Sequence, residues 1–558
     1  EELYKRKPDV LCFSCYIWNI DYVTDIAREY KKLCPSVPIW VGGPEVSYEV
    51  EAFLRENPYI DGVMIGEGED TFRELCGYYA HKRKLSDIAG IAFRKNSTGN
   101  STSVNNIGGN KAGEIVFTSP RPIKNMSEIP FCYDTLDDFS NRIIYYESSR
   151  GCPFSCSYCL SSVDKTLRFR DTEIVKRELK FFIDQKVPQI KFVDRTFNCN
   201  HAHAMELWRF IKANDNGVTN FHFEISADLL NQEELELIFD MRPGLIQLEI
   251  GVQSTNEATI KEIHRTMKLE RLKEVVRLIQ SGNNIHEHLD LIAGLPYEDY
   301  DSFGRSFDEI YELKPNQLQL GFLKVLKGSY MFEHAAEYGI VYHDKPPYEV
   351  MSTKWLSFDD VIKIKRVEDM LEVYYNSGQF EITMKLMECI FDSAFEFFQE
   401  LGDFYEANGY FGMSHSRIRR CEILLEFLAL YLHGCDSDAM TSVVLSENAG
   451  DRDNTDFDEN AQIYKMIQES LIFDLYYREN CKSRPVWATD IGSFKHMTHA
   501  YCKNGKLSHV EPFHYIFPDK HTRKLDELPK YHKEPVWALF HYDMRDPLDH
   551  QALVEYIE

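Results

Sequence analysis

Three cysteines in eight residues, Cys152, Cys156 and Cys159, constrain this 558-residue chain more than any other feature. They lie in Arg150-Gly151-Cys152-Pro153-Phe154-Ser155-Cys156-Ser157-Tyr158-Cys159-Leu160, right after an apolar, β-like run from Ile143 to Tyr146. Thiolates at Cys-x3-Cys-x2-Cys spacing on one compact loop can ligate three irons of a four-iron cluster and leave the fourth without a protein ligand. An iron open in this way is a reaction site. From the residues alone two other readings stand, a zinc site that takes a further ligand from elsewhere and three ordinary thiols among the chain's 14 cysteines.

With these residues the chain resembles the radical S-adenosylmethionine (SAM) superfamily, in which an aromatic residue, here Tyr158, typically precedes the third cysteine. The resemblance implies a [4Fe-4S] cluster whose open iron is chelated by the methionine end of SAM. An electron from the cluster then cleaves the sulfonium to give a 5'-deoxyadenosyl radical.

The length allows two to four domains with sizeable cores. No apolar run approaches the roughly 18 residues a membrane span needs. A formal charge of −26 argues against a broad nucleic-acid footprint, since phosphate backbones are held by clustered Lys and Arg. Scattered cysteines behind a start that lacks an apolar signal core, Glu1 to Pro8, fit a reducing cytoplasm. The start also lacks Met, which suggests residues upstream.

Up to residue 118 the pattern is α/β. Pro8 to Cys15 reads as a buried strand, Ile20 to Leu33 as a helix, Pro38 to Gly43 as a strand, and Asp61 to Ile65 with Glu69 to Tyr79 repeat the unit. That alternation implies a parallel, doubly wound, Rossmann-like sheet with ligands beyond the carboxyl ends of its strands. Those ends carry Ser14, Gly42-Gly43 and Gly66-Glu67, where small residues would let a flat ligand approach the backbone. The stretch is similar to the cobalamin-binding domain ahead of many radical SAM cores, with a serine and a Gly-Gly pair about 28 positions apart. The usual first strand and the Asp-x-His-x-x-Gly loop would precede residue 1, so the lower cobalt ligand stays open. A generic flavodoxin-like domain is the other reading. Cys12 and Cys15, three apart on a strand, point to opposite faces and read as buried thiols. Asn96 to Gly113 reads as a surface loop, and residues 119–140, with Pro120, Pro122 and Pro130, as a linker.

Residues 141–330 continue the βα rhythm, with helices at Thr172 to Asp184 and His201 to Ala213 and strands near Gln189, Asn220, Leu245, Ile285 and Gln317. Six parallel strands suggest an open (β/α)6 barrel with its chemistry at the carboxyl-terminal strand ends. Charged and polar groups recur there: Asp194 and Arg195, Glu224, Glu249 and Gln253, Asp290. Buried strands gain nothing from such groups unless they have partners. The phrases Phe223-Glu224-Ile225-Ser226, Gly251-Val252-Gln253-Ser254, Arg265 and Asp290 to Pro296 resemble the branch shared by coproporphyrinogen-oxidising and methylthiolating enzymes. That resemblance implies that Glu224, Gln253, Arg265 and Asp290 line the SAM site, with Arg265 meeting the methionine carboxylate bidentately and Gly294 passing close to the purine. His201, His203, His286 and His288 read as surface or polar-core histidines, and Cys199 as a thiol near the substrate or a buried side chain.

From 331 to 558 apolar residues recur at helical spacing, with an acidic stretch from Asp436 to Asn460 and two strand-like runs near the end. This mainly helical extension is placed to cover the barrel mouth. The whole pattern resembles a cobalamin-dependent radical SAM enzyme that methylates an unactivated carbon of a small-molecule, lipid or peptide substrate, fed by an electron donor such as flavodoxin or ferredoxin. Non-methylating radical cyclisation, rearrangement or redox chemistry is the alternative. A non-catalytic corrinoid or metal-binding module is a third reading.

Overall fold

In the computed structural model the described residues are 1–95, 114–139, 142–163, 165–433, 459–488, 501 and most of 507–557. The expected surface loop after Asn96 and most of the acidic stretch lie outside them. The first sheet contains β1 (Leu11–Ser14), β2 (Ile39–Gly42), β3 (Gly62–Met64), β4 (Ile91–Arg94) and β5 (Ile115–Phe117), in that spatial order. β1, β2 and β3 are parallel, whereas β3 with β4 and β4 with β5 run antiparallel, a meander that the βα rhythm did not announce. Separate apolar clusters cover its two faces. Cys15 is buried in one and Cys12 packs against the other, as period-two geometry requires, although Cys12 is only half-buried.

The second sheet is the open barrel. Its strands are β6 (Ile144–Tyr146), β9 (Gln189–Phe192), β10 (Asn220–Ile225), β11 (Ile246–Gln253), β12 (His286–Ala293) and β13 (Gln317–Phe322), with the two-residue β7 (Ser149–Arg150) and β8 (Arg168–Phe169) forming a separate ribbon. All neighbours in the order β13-β12-β11-β10-β9-β6 are parallel. The helices Thr172–Asp184 and His201–Ala213 begin and end where their apolar spacing places them, and Asp171 and Asn200 cap their first-turn N–H groups.

The linker is not slack. Lys124 pairs with Asp70 at 2.7 Å and Arg121 with Glu74 at 2.5 Å, while Arg170 donates to the Met126 carbonyl at 2.6 Å. Arg170 also forks onto Glu178, both side chains almost fully buried, and Tyr146 donates to the same carboxylate at 2.6 Å. This network braces the strand that leads into the cysteine loop.

After the barrel come β14 (Val341–Tyr342) and β15 (Val350–Ser352), helices including Phe358–Leu371, Glu381–Ile390, Ala394–Ala407, Arg417–His433 and Glu459–Arg478, and an antiparallel sheet. That sheet has three strands, β16 (Ser508–Tyr515), β17 (Tyr531–Arg545) and β18 (Ala552–Ile557), one more than the sequence reading found. Among the described residues the extension meets the barrel at two places. Its helices lie against the edge strand and floor: Asn376 brackets Leu318 with two hydrogen bonds and Tyr375 donates to the Pro315 carbonyl. An open barrel exposes an edge strand with unpaired backbone groups, and covering that edge satisfies them. Its first part, from Met331 to Trp355, reaches the mouth as expected: Met331 N–H donates to the Ser157 carbonyl of the cysteine loop, Tyr338 donates to Glu262, and Val350 pairs with Leu323.

Candidate functional site

The cysteine loop leaves β6 at the carboxyl end of the barrel and turns sharply at Gly151, whose φ of 93° and close approach to the Thr166 carbonyl (2.6 Å from an added Cβ) admit only glycine. Cys152, Cys156 and Cys159 line one wall of a cavity of about 180 Å³. Tyr158, Glu224, Gln253, Arg265 and Asp290 line the same cavity, so residues spread over 139 positions (from 152 to 290) converge as expected. Among the described residues no three His, Cys, Asp or Glu side chains close around a single-ion position.

The Arg265 guanidinium is buried, donates to the Gly251 carbonyl and to Tyr158 Oη at 3.3 Å, and lies 3.9 Å from Cys156 Sγ. These contacts tie it to the cysteine loop, while its buried Nε has no protein partner. A kink in β11 makes this possible. The register slips between Gly251 and Gln253, Gln253 adopts φ 77°, and an added Cβ on Gly251 would come within 2.3 Å of Gln253 Nε2. The buried Gln253 Oε1 has no protein partner, an acceptor held open toward the cavity.

Carboxylates on adjacent strands separate electrostatically. Burial, reinforced by Glu249, pushes Glu224 up to about 7. Burial acts the same way on Glu249, but the His222 ring at 2.8 Å and the Lys191 ammonium at 2.9 Å outweigh it and hold it down at about 2. Burial raises Asp290, which His288 contacts at 3.1 Å. The site therefore presents one permanent anion beside two carboxyls that accept a proton readily.

Other expected residues fall elsewhere. Gly294 has φ 87° and an added Cβ would meet Val350 at 2.7 Å, so both the backbone conformation and the packing of β15 require glycine here. Asp194 does not face the cavity: it accepts from Ser148 and Ser149 at 2.6 to 2.9 Å, and burial lifts it to about 6. His203 is buried 3.0 Å from Ser148 Oγ, and His201 is half-exposed on Glu234. Cys199 is partly buried outside the cavity lining. Arg195, Thr196 and Thr266 join the lining, of which the sequence reading singled out only Arg195.

The loop that follows β3 of the first sheet meets the flank of the cysteine loop through ion pairs. Ser14 is exposed at the end of β1, and Gly66, φ 75°, has open space where a Cβ would stand. Gly42 and Gly43 are glycine for another reason, since added Cβ atoms would meet Met64 at 3.2 Å and the Cys15 carbonyl at 2.5 Å. Glu67, expected beside a cofactor, instead pairs with Arg168 at 2.6 Å and Arg150 at 3.3 Å. Arg150 also holds Glu69 at 2.8 Å and Glu147 at 2.7 Å. On the far side Tyr348 donates to Glu45, and Tyr48 packs against Gly328. These docking contacts were invisible in the sequence; the only available signal was arginine flanking the cysteines and the acidic Gly66-Glu67-Gly68-Glu69 phrase.

Comparison with known proteins agrees with this geometry. Residues 1–76 match the B12 binding domain, residues 146–310 the radical SAM superfamily, and residues 336–551 a family described as a protein of unknown function, DUF4080. The chain is similar to the cobalamin-dependent radical SAM methyltransferase TokK of Streptomyces tokunonensis, 27% identical over 55% of this chain and 45% of that protein. It is also similar to the anaerobic magnesium-protoporphyrin IX monomethyl ester cyclase of a Synechocystis strain, 25% identical over 45% of this chain and 48% of the other. The match thus spans about half the length of these curated relatives. The solved structure of the cobalamin-dependent SAM radical enzyme OxsB shares the fold, with a TM-score of 0.51 at 16% identity over 85% of this chain and 73% of that one. The chain therefore joins a B12 binding domain to a radical SAM domain and carries a DUF4080 region after them.

Proposed function

We propose that the protein is a cobalamin-dependent radical SAM methyltransferase acting on an unactivated carbon. One observation carries this reading: the Gly66–Glu69 loop at the carboxyl end of β3 in the B12 binding domain is ion-paired through Glu67 and Glu69 to Arg150, two residues before the first cysteine of the three-cysteine loop. Cys152, Cys156 and Cys159 would hold a [4Fe-4S] cluster, and Ser14 and Gly66 would border the corrin. When bound, these groups supply the electron that cleaves SAM and the methyl group to be transferred.

The chain's own residues position and insulate. Arg265 places a buried positive charge beside the Cys156 sulfur. Glu224 and Asp290 would accept hydroxyl donors of SAM, and the bare Gln253 Oε1 an N–H. The two-sided docking would keep radical source and methyl source at a fixed separation, so the substrate carbon meets both without diffusing. No helix among the described residues is long and apolar enough to cross a membrane. A small-molecule, lipid or peptide substrate, an electron donor such as flavodoxin or ferredoxin, and an anaerobic cytoplasmic setting complete the reading.

The test is anaerobic purification followed by SAM and dithionite. Iron-sulfur and corrinoid absorption together, and 5'-deoxyadenosine above a Cys156→Ala control, support the reading; absence of either overturns it. The likeness to a cyclase keeps non-methylating radical chemistry as the second reading. A product lacking the mass of one methyl group would favour it.

A further inference from the structure

The cleft at the mouth is not the only space that borders the barrel. A cavity of about 390 Å³ lies between the barrel floor and the DUF4080 region, within the size range of small-molecule sites and at the kind of inter-region seam where they concentrate. Its barrel wall includes His286, at the start of β12, and its other wall includes Tyr375, Met384 and Gln551. Asp290, which lines the reaction cleft, stands four residues further along β12, roughly 13 Å at strand rise. The two spaces are therefore at opposite ends of the barrel.

Three observations mark this cavity as built and not left over. First, Gln551 is 2% exposed and its Nε2 donates to the Gly378 carbonyl at 3.1 Å, which fixes the amide's orientation. Its Oε1, buried in the cavity wall, has no partner. An unmet buried acceptor of this kind is destabilising, so its retention calls for a donor. Second, Nδ1 of His286, on the opposite wall, is likewise buried and unpartnered, and burial lowers the imidazole to about 4, leaving a neutral ring. Third, residues Glu372–Asn376, which supply Tyr374, Tyr375 and Asn376 to the wall, form a π-helix, a distortion that recurs at functional sites.

The chemistry of the occupant follows from what is already paired. Lys314 binds Glu388 at 2.7 Å and Lys385 binds Glu381 at 3.0 Å, so the charged groups here compensate one another. Three buried atoms of the lining are unmet: Gln551 Oε1 and Glu388 Oε2, which need donors, and His286 Nδ1, which takes either role; Glu388 is already ion-paired to Lys314, so none of the three calls for a further charge. A planar carboxamide offers both an N–H and a carbonyl, and a flat apolar body suits the Tyr375 ring and Met384. We propose that this cavity is a second small-molecule site, distinct from the reaction cleft, that binds an uncharged carboxamide or lactam between Gln551 and His286.

This proposal does not depend on the radical SAM reading. The test is saturation-transfer NMR on the full-length protein with acetamide and 2-pyrrolidone, using acetate and methylammonium as charged comparators. Transfer to the amides but not to the charged probes is expected, weakened at least tenfold in Gln551→Met. His286→Phe, on the opposite wall, gives the same loss if Gln551→Met does not fold. No transfer to either amide, equal transfer to acetate, or binding undiminished in both variants would overturn the assignment.

Discussion

Replacing Arg150 by Met removes a cation while keeping most of the side chain's bulk, and its effect can be sized from the contacts. Arg150 touches three carboxylates; Glu147 belongs to the barrel's own strand region, whereas Glu69 at 2.8 Å and Glu67 at 3.3 Å cross from the B12 binding domain. The side chain is 24% exposed, so each crossing contact falls between a screened surface pair and a buried charge-assisted bond, about 1 kcal/mol. Two such contacts give about 2 kcal/mol, or about 30-fold in the docking equilibrium of the Gly66–Glu69 loop. Arg168 still holds Glu67, and the Tyr348 to Glu45 bond holds the other side, so the opening stays local. Amide hydrogen exchange should therefore accelerate about 30-fold at residues 66–70 and remain unchanged in the barrel strands. Exchange within twofold of the parent at 66–70, or acceleration spread over the whole barrel, would refute the reasoning.

Other expectations follow from buried groups. Arg170→Met strands the Glu178 carboxylate in the core and should cost about 3–5 kcal/mol, read as a fall in urea midpoint; the Arg170→Met, Glu178→Met double variant should recover much of that loss. Glu298 is buried, and burial raises it to about 7, with Ser254 and Ser306 as partial compensation. Its folded value lies above the unfolded one, so its contribution is fully present below about pH 4.5 and is lost as pH rises toward about 7. Glu298→Gln should thus gain thermal stability relative to the parent as pH goes from 5 to 8, by up to about 3 kcal/mol; a pH-independent difference would count against the burial argument. Gly62→Ala places a Cβ 2.4 Å from the Trp40 ring and should destabilise the first sheet by about 1–3 kcal/mol, visible as an early transition in differential scanning calorimetry.

Much of the site was legible before the fold was known, because its residues carry signals that survive without three-dimensional context. Cysteines at fixed short spacing on one loop must lie near one another. Charges interrupting apolar strands, as at Glu224 and Asp290, must face a shared space, since a buried strand has nowhere else to put them. What each polar group does within that space was not legible. The bonds of Arg265 to Gly251 and Tyr158 and the packing of Gly294 on Val350 had no signal in the linear pattern.

By itself the sequence determined the local elements, the order of the three regions and the convergence of cysteines and carboxylates, because backbone periodicity and short spacings are set within a few residues. Tertiary structure alone decided the rest. Arg150 and Glu69 are 81 positions apart, and a salt bridge across that distance leaves no trace in periodicity. The same holds for the floor cavity, whose walls include His286 and Gln551, and for the seat of the DUF4080 helices against the edge strand. Such choices depend on which unsatisfied edge and which unpaired charge meet after collapse, and a linear pattern records only that each exists.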